Sequence, residues 1–213
     1  MSQLMETLGY YATHPQAIIY AVATALLYPV LVFELAALVW TVWEFGRFTG
    51  EAWSRRRRRT LATLDRAASD ARARLSEGDF DAAAATLTTL RHGRYVSTFF
   101  DELTAHDLEQ VRLLKLLGDL ESEVTRRLER TRTLVRLGPM LGLMGTLIPI
   151  SPALVGLAQG DVQTLSDNLV IAFSTTVVGL LVGGLAYLMS VVRDRWYMSD
   201  VSDVEYILET LEL

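Results

Sequence analysis

The sequence predicts an all-α integral membrane protein, with three transmembrane helices and long cytoplasmic helical extensions. Three observations lead there. The first is where the apolar residues lie. Of 213 residues 51% are hydrophobic and mean hydropathy is +0.26. A soluble domain would disperse them, but here they gather at Ile18–Val42, Leu134–Leu157 and Leu169–Val192. Each block reaches the roughly 20 residues needed to cross a bilayer. Backbone groups in hydrocarbon must be satisfied within their own segment, so each block should be a helix. The second observation is charge. All 20 Lys and Arg lie between Arg47 and Arg136 or at Arg193 and Arg195. The positive-inside rule then places the N-terminus outside and the C-terminus in the cytoplasm of a multi-pass protein of the cell membrane. The third is small-residue spacing. Gly138, Gly142, Gly145, Pro149, Pro152 and Gly156 step by four, three, four, three, four, and Ala172, Thr176, Gly179, Gly183, Ala186 and Ser190 repeat the pattern. Such stripes let helices approach almost to backbone contact.

In chain order, residues 1–16 read as an external tail. Leu4, Met5, Leu8 and Tyr11 could share an interfacial face, or the end could be frayed. No Lys or Arg precedes the first block, so removal as a signal peptide is not expected. Residues 17–46 form transmembrane helix 1, closed by Trp40, Trp43 and then Arg47, with Pro29 a candidate kink. Glu34 is the anomaly, because an ionisable group inside a span costs at least a few kcal/mol unless neutralised or paired. It reads in two ways: as a possible intramembrane acid in a proton or subunit contact, or as a group that snorkels or is simply protonated.

Residues 47–133 form a cytoplasmic helical domain. Arg55, Arg56, Arg57, Arg58 and Arg59 follow the first span by about ten residues. There they read as a topology anchor touching membrane lipid. Nucleic acid is not expected as a partner, because residues 47–136 balance 18 basic with 14 acidic groups. Glu77-Gly78-Asp79 breaks the first cytoplasmic helix, and Asp79 caps the next. His92-Gly93 gives another break, Tyr95 to Leu103 a short helix, and Thr104 to Asp107 a capping box. From there one long helix is predicted into transmembrane helix 2, residues 134–159. Its competitor is a break at Gly138-Pro139, since proline disfavours helix in the residue before it. An external loop, 160–167, carries only acids. Transmembrane helix 3 spans 168–192. The tail, 193–213, sets Val201, Val204, Leu208 and Leu211 on one face and should pack as an amphipathic helix.

Enzyme chemistry is not expected. There is no cysteine for disulfide, thiolate or zinc chemistry. His14, His92 and His106 are scattered without ligand spacing, and no nucleophile elbow or phosphate loop occurs. No cofactor or metal is anticipated. The polar features sit at membrane depth instead. Thr146 lies about ten residues into its span, roughly 15 Å at 1.5 Å per residue. Thr176 enters from the other side to a similar depth, with Ser174 and Thr175 beside it. These four are the candidate ion pathway. Gly138, Gly142, Gly145, Gly179 and Gly183 are the candidate helix-packing residues. Spans two and three hold no acid, so a proton carrier must come from a partner or from Glu34.

Leu137-Gly-Pro-Met-Leu-Gly-Leu-Met-Gly-Thr146, followed by Ala172-Phe-Ser-Thr-Thr176-Val-Val-Gly-Leu180, resembles the MotA/TolQ/ExbB proton channel family. Three spans with an outside N-terminus are similar to the TolQ and ExbB branch. The resemblance implies a homopentamer around a central pore. It also implies a single-span ExbD/TolR/MotB-like partner, dimeric in that pore, whose transmembrane aspartate carries the ion. Thr146 and Thr176 match the family's pore-facing threonines. The implied function is an ion, chiefly proton, channel subunit of an energy-transducing rotary motor that turns ion-motive force into mechanical work. A sodium-driven motor, suggested by the pair Thr175-Thr176, and a non-conducting scaffold or adaptor are the alternatives. Two positions depart from the pattern. Ile171 stands where ExbB and TolQ have a glutamate, and Pro149 replaces a common glycine.

Overall fold

The computed structural model describes residues 15–56, 61–88, 95, 99 and 110–211, and every regular element among them is an α-helix. In chain order these are α1 (Pro15–Ala25), α2 (Leu27–Arg56), α3 (Leu61–Ser76), α4 (Phe80–Thr88), α5 (Gln110–Ala158) and α6 (Val162–Thr210). Three stretches are long and apolar enough to cross a membrane: Ile18–Arg55, Leu113–Ala158 and Val162–Thr210.

The break between α1 and α2 falls at Leu26. Pro29 has no N–H to offer the Ala25 carbonyl, and its ring crowds that carbonyl, so the ladder is interrupted one turn before the proline. Pro139, Pro149 and Pro152 behave differently. All three lie inside the unbroken α5, so the helix does not end at Gly138-Pro139. The Pro139 ring has a seat: a Cβ built on Gly183 would lie 2.8 Å from Pro139 Cδ. A neighbouring helix that supplies such packing is what lets proline persist inside a span.

Both short connections use the same Gly-Asp device. Gly78 (φ 82°) and Gly160 (φ 74°) take the left-handed conformation that ends a helix. Each following aspartate closes the turn with a backbone bond five residues back, Asp79 N–H to Arg74 O at 3.0 Å and Asp161 N–H to Gly156 O at 2.8 Å. The aspartates then cap the next helix. Asp79 Oδ1 accepts from Ala82 N–H at 3.0 Å, and Asp161 Oδ1 accepts from Thr164 N–H at 3.1 Å.

The chain divides into two compact units, and α2, α5 and α6 contribute to both. Unit 1 comprises the described residues up to Glu44 together with Thr133–Tyr187. Its buried apolar centre is small: Ala37, Leu134, Val182 and Ala186, with Leu38, Val135, Leu141 and Val178 against them. Unit 2 comprises the described residues of Phe45–Arg132 and Leu188–Leu211. Its core is larger, drawing Leu64 and Ala68 from α3, Leu87 from α4, Leu113, Leu120, Val124 and Leu128 from α5, and Tyr197, Val204 and Ile207 from α6. The predicted amphipathic tail is thus the end of α6, and Val201, Val204 and Leu211 are buried in that core. The external tail, the His92-Gly93 break and the Thr104–Asp107 box lie outside the described residues. Of the Tyr95–Leu103 helix only Tyr95 and Phe99 are described, both helical and buried.

Candidate ion path and intramembrane polar groups

The glycine stripe of α5 is covered by α6, within unit 1. A Cβ on Gly138 would lie 2.7 Å from Gly183 N and 2.8 Å from Gly179 O. One on Gly142 would lie 3.1 Å from Thr175 O and 3.2 Å from Gly179 Cα. From the other side, a Cβ on Gly179 would meet Gly138 O and Gly142 Cα, both at 2.7 Å. These are backbone-to-backbone approaches that only glycine allows. The stripe therefore joins two helices of one protomer and is spent there. The groups left beside it are the hydroxyls.

Thr146 and Thr176 are half-buried, and each lies beside Gly142. Thr146 Oγ1 donates to Gly142 O at 3.0 Å and to Leu143 O at 2.8 Å. The Cα of Thr176 lies 3.5 Å from a Cβ built on Gly142. Thr176 therefore crosses α5 at Gly142, one turn from Thr146 in sequence. Thr175 is buried deeper. Its side chain fills the space over Gly145, whose Cβ would lie 2.6 Å from Thr175 Cβ. Ser174 points away from this contact and is exposed.

All four hydroxyl protons are already committed. Thr175 and Thr176 both donate to Ala172 O, at 2.9 and 3.1 Å, and Ser174 donates to Val170 O at 2.7 Å. Such back-bonding satisfies a hydroxyl inside a span without any partner helix. It also fixes the chemistry on offer. With the proton turned into the helix, each oxygen presents only lone pairs. The arrangement can accept hydrogen bonds or coordinate a cation, and it does not donate.

Glu34 is turned inward. It is 3% exposed, on the buried face of α2 that also holds Val30, Ala37 and Thr41. A side chain held there does not snorkel. Its polar neighbour is the backbone of Gly179, and Oε1 has no hydrogen-bond partner.

Arg55 departs from the lipid-anchor expectation. Its side chain is 9% exposed, and its guanidinium grips Asp200 with two bonds, Nη1 to Oδ1 at 2.8 Å and Nη2 to Oδ2 at 2.6 Å. A bidentate carboxylate supplies what a lipid headgroup would have supplied. Arg57, Arg58 and Arg59 lie outside the described residues. Around Arg55, unit 2 builds a charged cluster that periodicity did not reveal. Glu51 lies 3.4 Å from Arg55 and 3.6 Å from Arg193. Tyr197 Oη donates to Glu51 at 3.3 Å, and Arg193 Nη1 donates to Thr131 Oγ1 at 3.3 Å. Trp196 stacks on Phe48 with centroids 5.2 Å apart, and Arg55 lies over the Trp196 ring at 5.3 Å. The one sequence clue was a set of arginines with aromatics at Phe48, Trp196 and Tyr197. Spacing alone does not pair residues 145 positions apart.

A helical chain with three membrane-capable spans is a multi-pass membrane protein. The chain matches the MotA/TolQ/ExbB proton channel family over residues 87–205, more than half its length, and it belongs to that family. No curated protein and no solved structure matches it.

Proposed function

We propose that this chain is the channel subunit of a proton-driven motor of the three-span TolQ and ExbB kind. Five copies surround a dimer of a single-span partner whose transmembrane aspartate carries the proton. The N-terminus is outside the cell membrane and the C-terminus is cytoplasmic. The carrying observation is that Thr146 and Thr176 both lie beside Gly142, on the packed α5–α6 pair. Two hydroxyl oxygens with open lone pairs form a polar rung on an otherwise apolar helix pair. Such a rung can accept hydrogen bonds from a proton-bearing water and so hold it beside the partner's aspartate. Membership of the proton channel family supports the same reading.

The test is Thr146→Val combined with Thr176→Val, each replacing an oxygen by a methyl at nearly constant volume. Expected is loss of ion-driven work with oligomer and membrane insertion intact. Full activity in the double variant overturns the reading. That result would favour a non-conducting scaffold, which has its own support in the glycine stripe already spent on helix packing. Replacing protons by sodium as the driving gradient tells the two ions apart.

A further inference from the structure

The channel reading uses the hydroxyls and leaves Glu34 unemployed. The three apolar blocks hold no other carboxyl. Their remaining titratable groups, Tyr20, Tyr28, Arg136 and Tyr187, are all exposed and turned away from the packed face. On that face Thr41 meets its own need by donating to Ala37 O at 2.8 Å. Glu34 has its need met only in part, by a backbone hydrogen bond at Gly179. Its Oε1 is buried without a partner, and the residues packed along this face from α5 and α6 are Leu134, Val178, Val182 and Ala186. A carboxylate with one oxygen left unpartnered in hydrocarbon is costly enough to favour taking up a proton or a cation.

Its position is as telling as its burial. The one backbone beside it is that of Gly179, which has no side chain to thicken the wall. On the far side of Gly179 stands Gly142, with Thr176 next to it. Gly179 thus touches both the Glu34 carboxyl and the α5 stripe beside the threonines.

We propose that Glu34 is a proton-binding site of the channel subunit itself, exchanging with water beside Gly179; this rests on the channel reading and adds a second proton-carrying group to it. In uptake, a carboxylate oxygen accepts a proton from hydronium and water leaves. Release is the reverse, so no other reactant is required.

The experiment is infrared difference spectroscopy on the full-length chain in lipid vesicles, in H2O and in D2O. Expected is a protonated-carboxyl C=O band that shifts promptly to lower frequency in D2O and is missing in Glu34→Gln. Absence of any band assignable to Glu34 overturns the proposal, because the group is then ionised. A band that ignores D2O also overturns it, because the proton is then sealed in. Loss of the band on adding sodium at constant pH makes the site a sodium site and overturns proton binding. The spectrum does not depend on flux. A shifting Glu34 band in a chain whose Thr146→Val/Thr176→Val variant keeps full activity sinks the channel reading and leaves Glu34 a proton-binding group. A silent Glu34 with an inactive threonine double variant does the opposite.

Discussion

The two units solve the same problem, holding helices together, with opposite materials. Unit 1 uses absence. Gly138, Gly142, Gly145, Gly179 and Gly183 bring α5 and α6 to backbone contact, and the buried apolar side chains are few and small. Unit 2 uses bulk and charge. Leucines, tyrosines and an Arg55–Asp200 pair fill its interior. The difference follows from the solvent each composition suits. Where lipid surrounds the helices there is no hydrophobic gain in hiding a leucine from it, so close packing must supply the attraction. Where water surrounds them, burying large apolar groups is the main gain. The units also treat a buried carboxylate differently. Asp200 receives two guanidinium bonds, whereas Glu34 Oε1 receives none. A paired acid is structural, and an unpaired one is free to change state.

The sharpest way to break this comparison is Asp200→Ala. It leaves the buried Arg55 with Glu51 at 3.4 Å and should cost somewhat less than the ~3–5 kcal/mol of a wholly unpaired buried charge, while replacing Arg55 and Asp200 together by apolar residues of similar size should be nearly neutral. Thermal unfolding of the detergent-solubilised chain reads both, and a mild Asp200→Ala would show that unit 2 does not depend on the pair. Next is Gly179→Ala. The added methyl meets backbone at 2.7 Å on α5, and such overpacking typically costs about 1–3 kcal/mol. A stable variant would mean the α5–α6 contact has slack. Gly118 sharpens the contrast from the other side. It lies mid-helix in unit 2 with nothing within 4 Å of a built Cβ, so Gly118→Ala should stabilise by about 0.5–1 kcal/mol. The smallest effect concerns pH. Bonds from the Thr164 hydroxyl and amide hold the exposed Asp161 carboxyl below its ordinary range. Its folded value is the lower one, so its small contribution is complete above the ordinary carboxylate range. That contribution fades as pH falls through the lowered value. Comparing unfolding of the native chain and Asp161→Asn across acid pH should show the gap closing as pH drops.

Much of this fold was legible because its signals are local. Apolar runs marked the spans, and Gly78-Asp79 marked one turn, since the glycine and the cap each act within a few residues; the second turn was read as a loop over 160–167, whereas α6 starts at Val162. The small-residue stripes were legible too, but not what they face. Spacing shows that Gly142 and Thr146 share a helix. It does not show that Gly142 is covered by α6 while Thr146 stays half-open beside it. The predicted long helix runs through the prolines of α5 unbroken, and the competing break fails because helix breaking depends on whether a neighbour such as Gly183 accommodates the ring. Arg55 was hidden by its own neighbours: within a run of five arginines nothing singles out the one that turns inward. Glu34 stood out at once, and only the packing of α2 on α6 decided which way it points.

The Gly160-Asp161 link has a mechanical consequence. Gly160 locks the end of α5 and Asp161 pins the start of α6, so almost no spare chain lies between them. Sliding one helix along the other by a turn would need several more residues than the link contains. At this end, within unit 1, α5 and α6 are therefore tied so that neither can ratchet past the other by a turn.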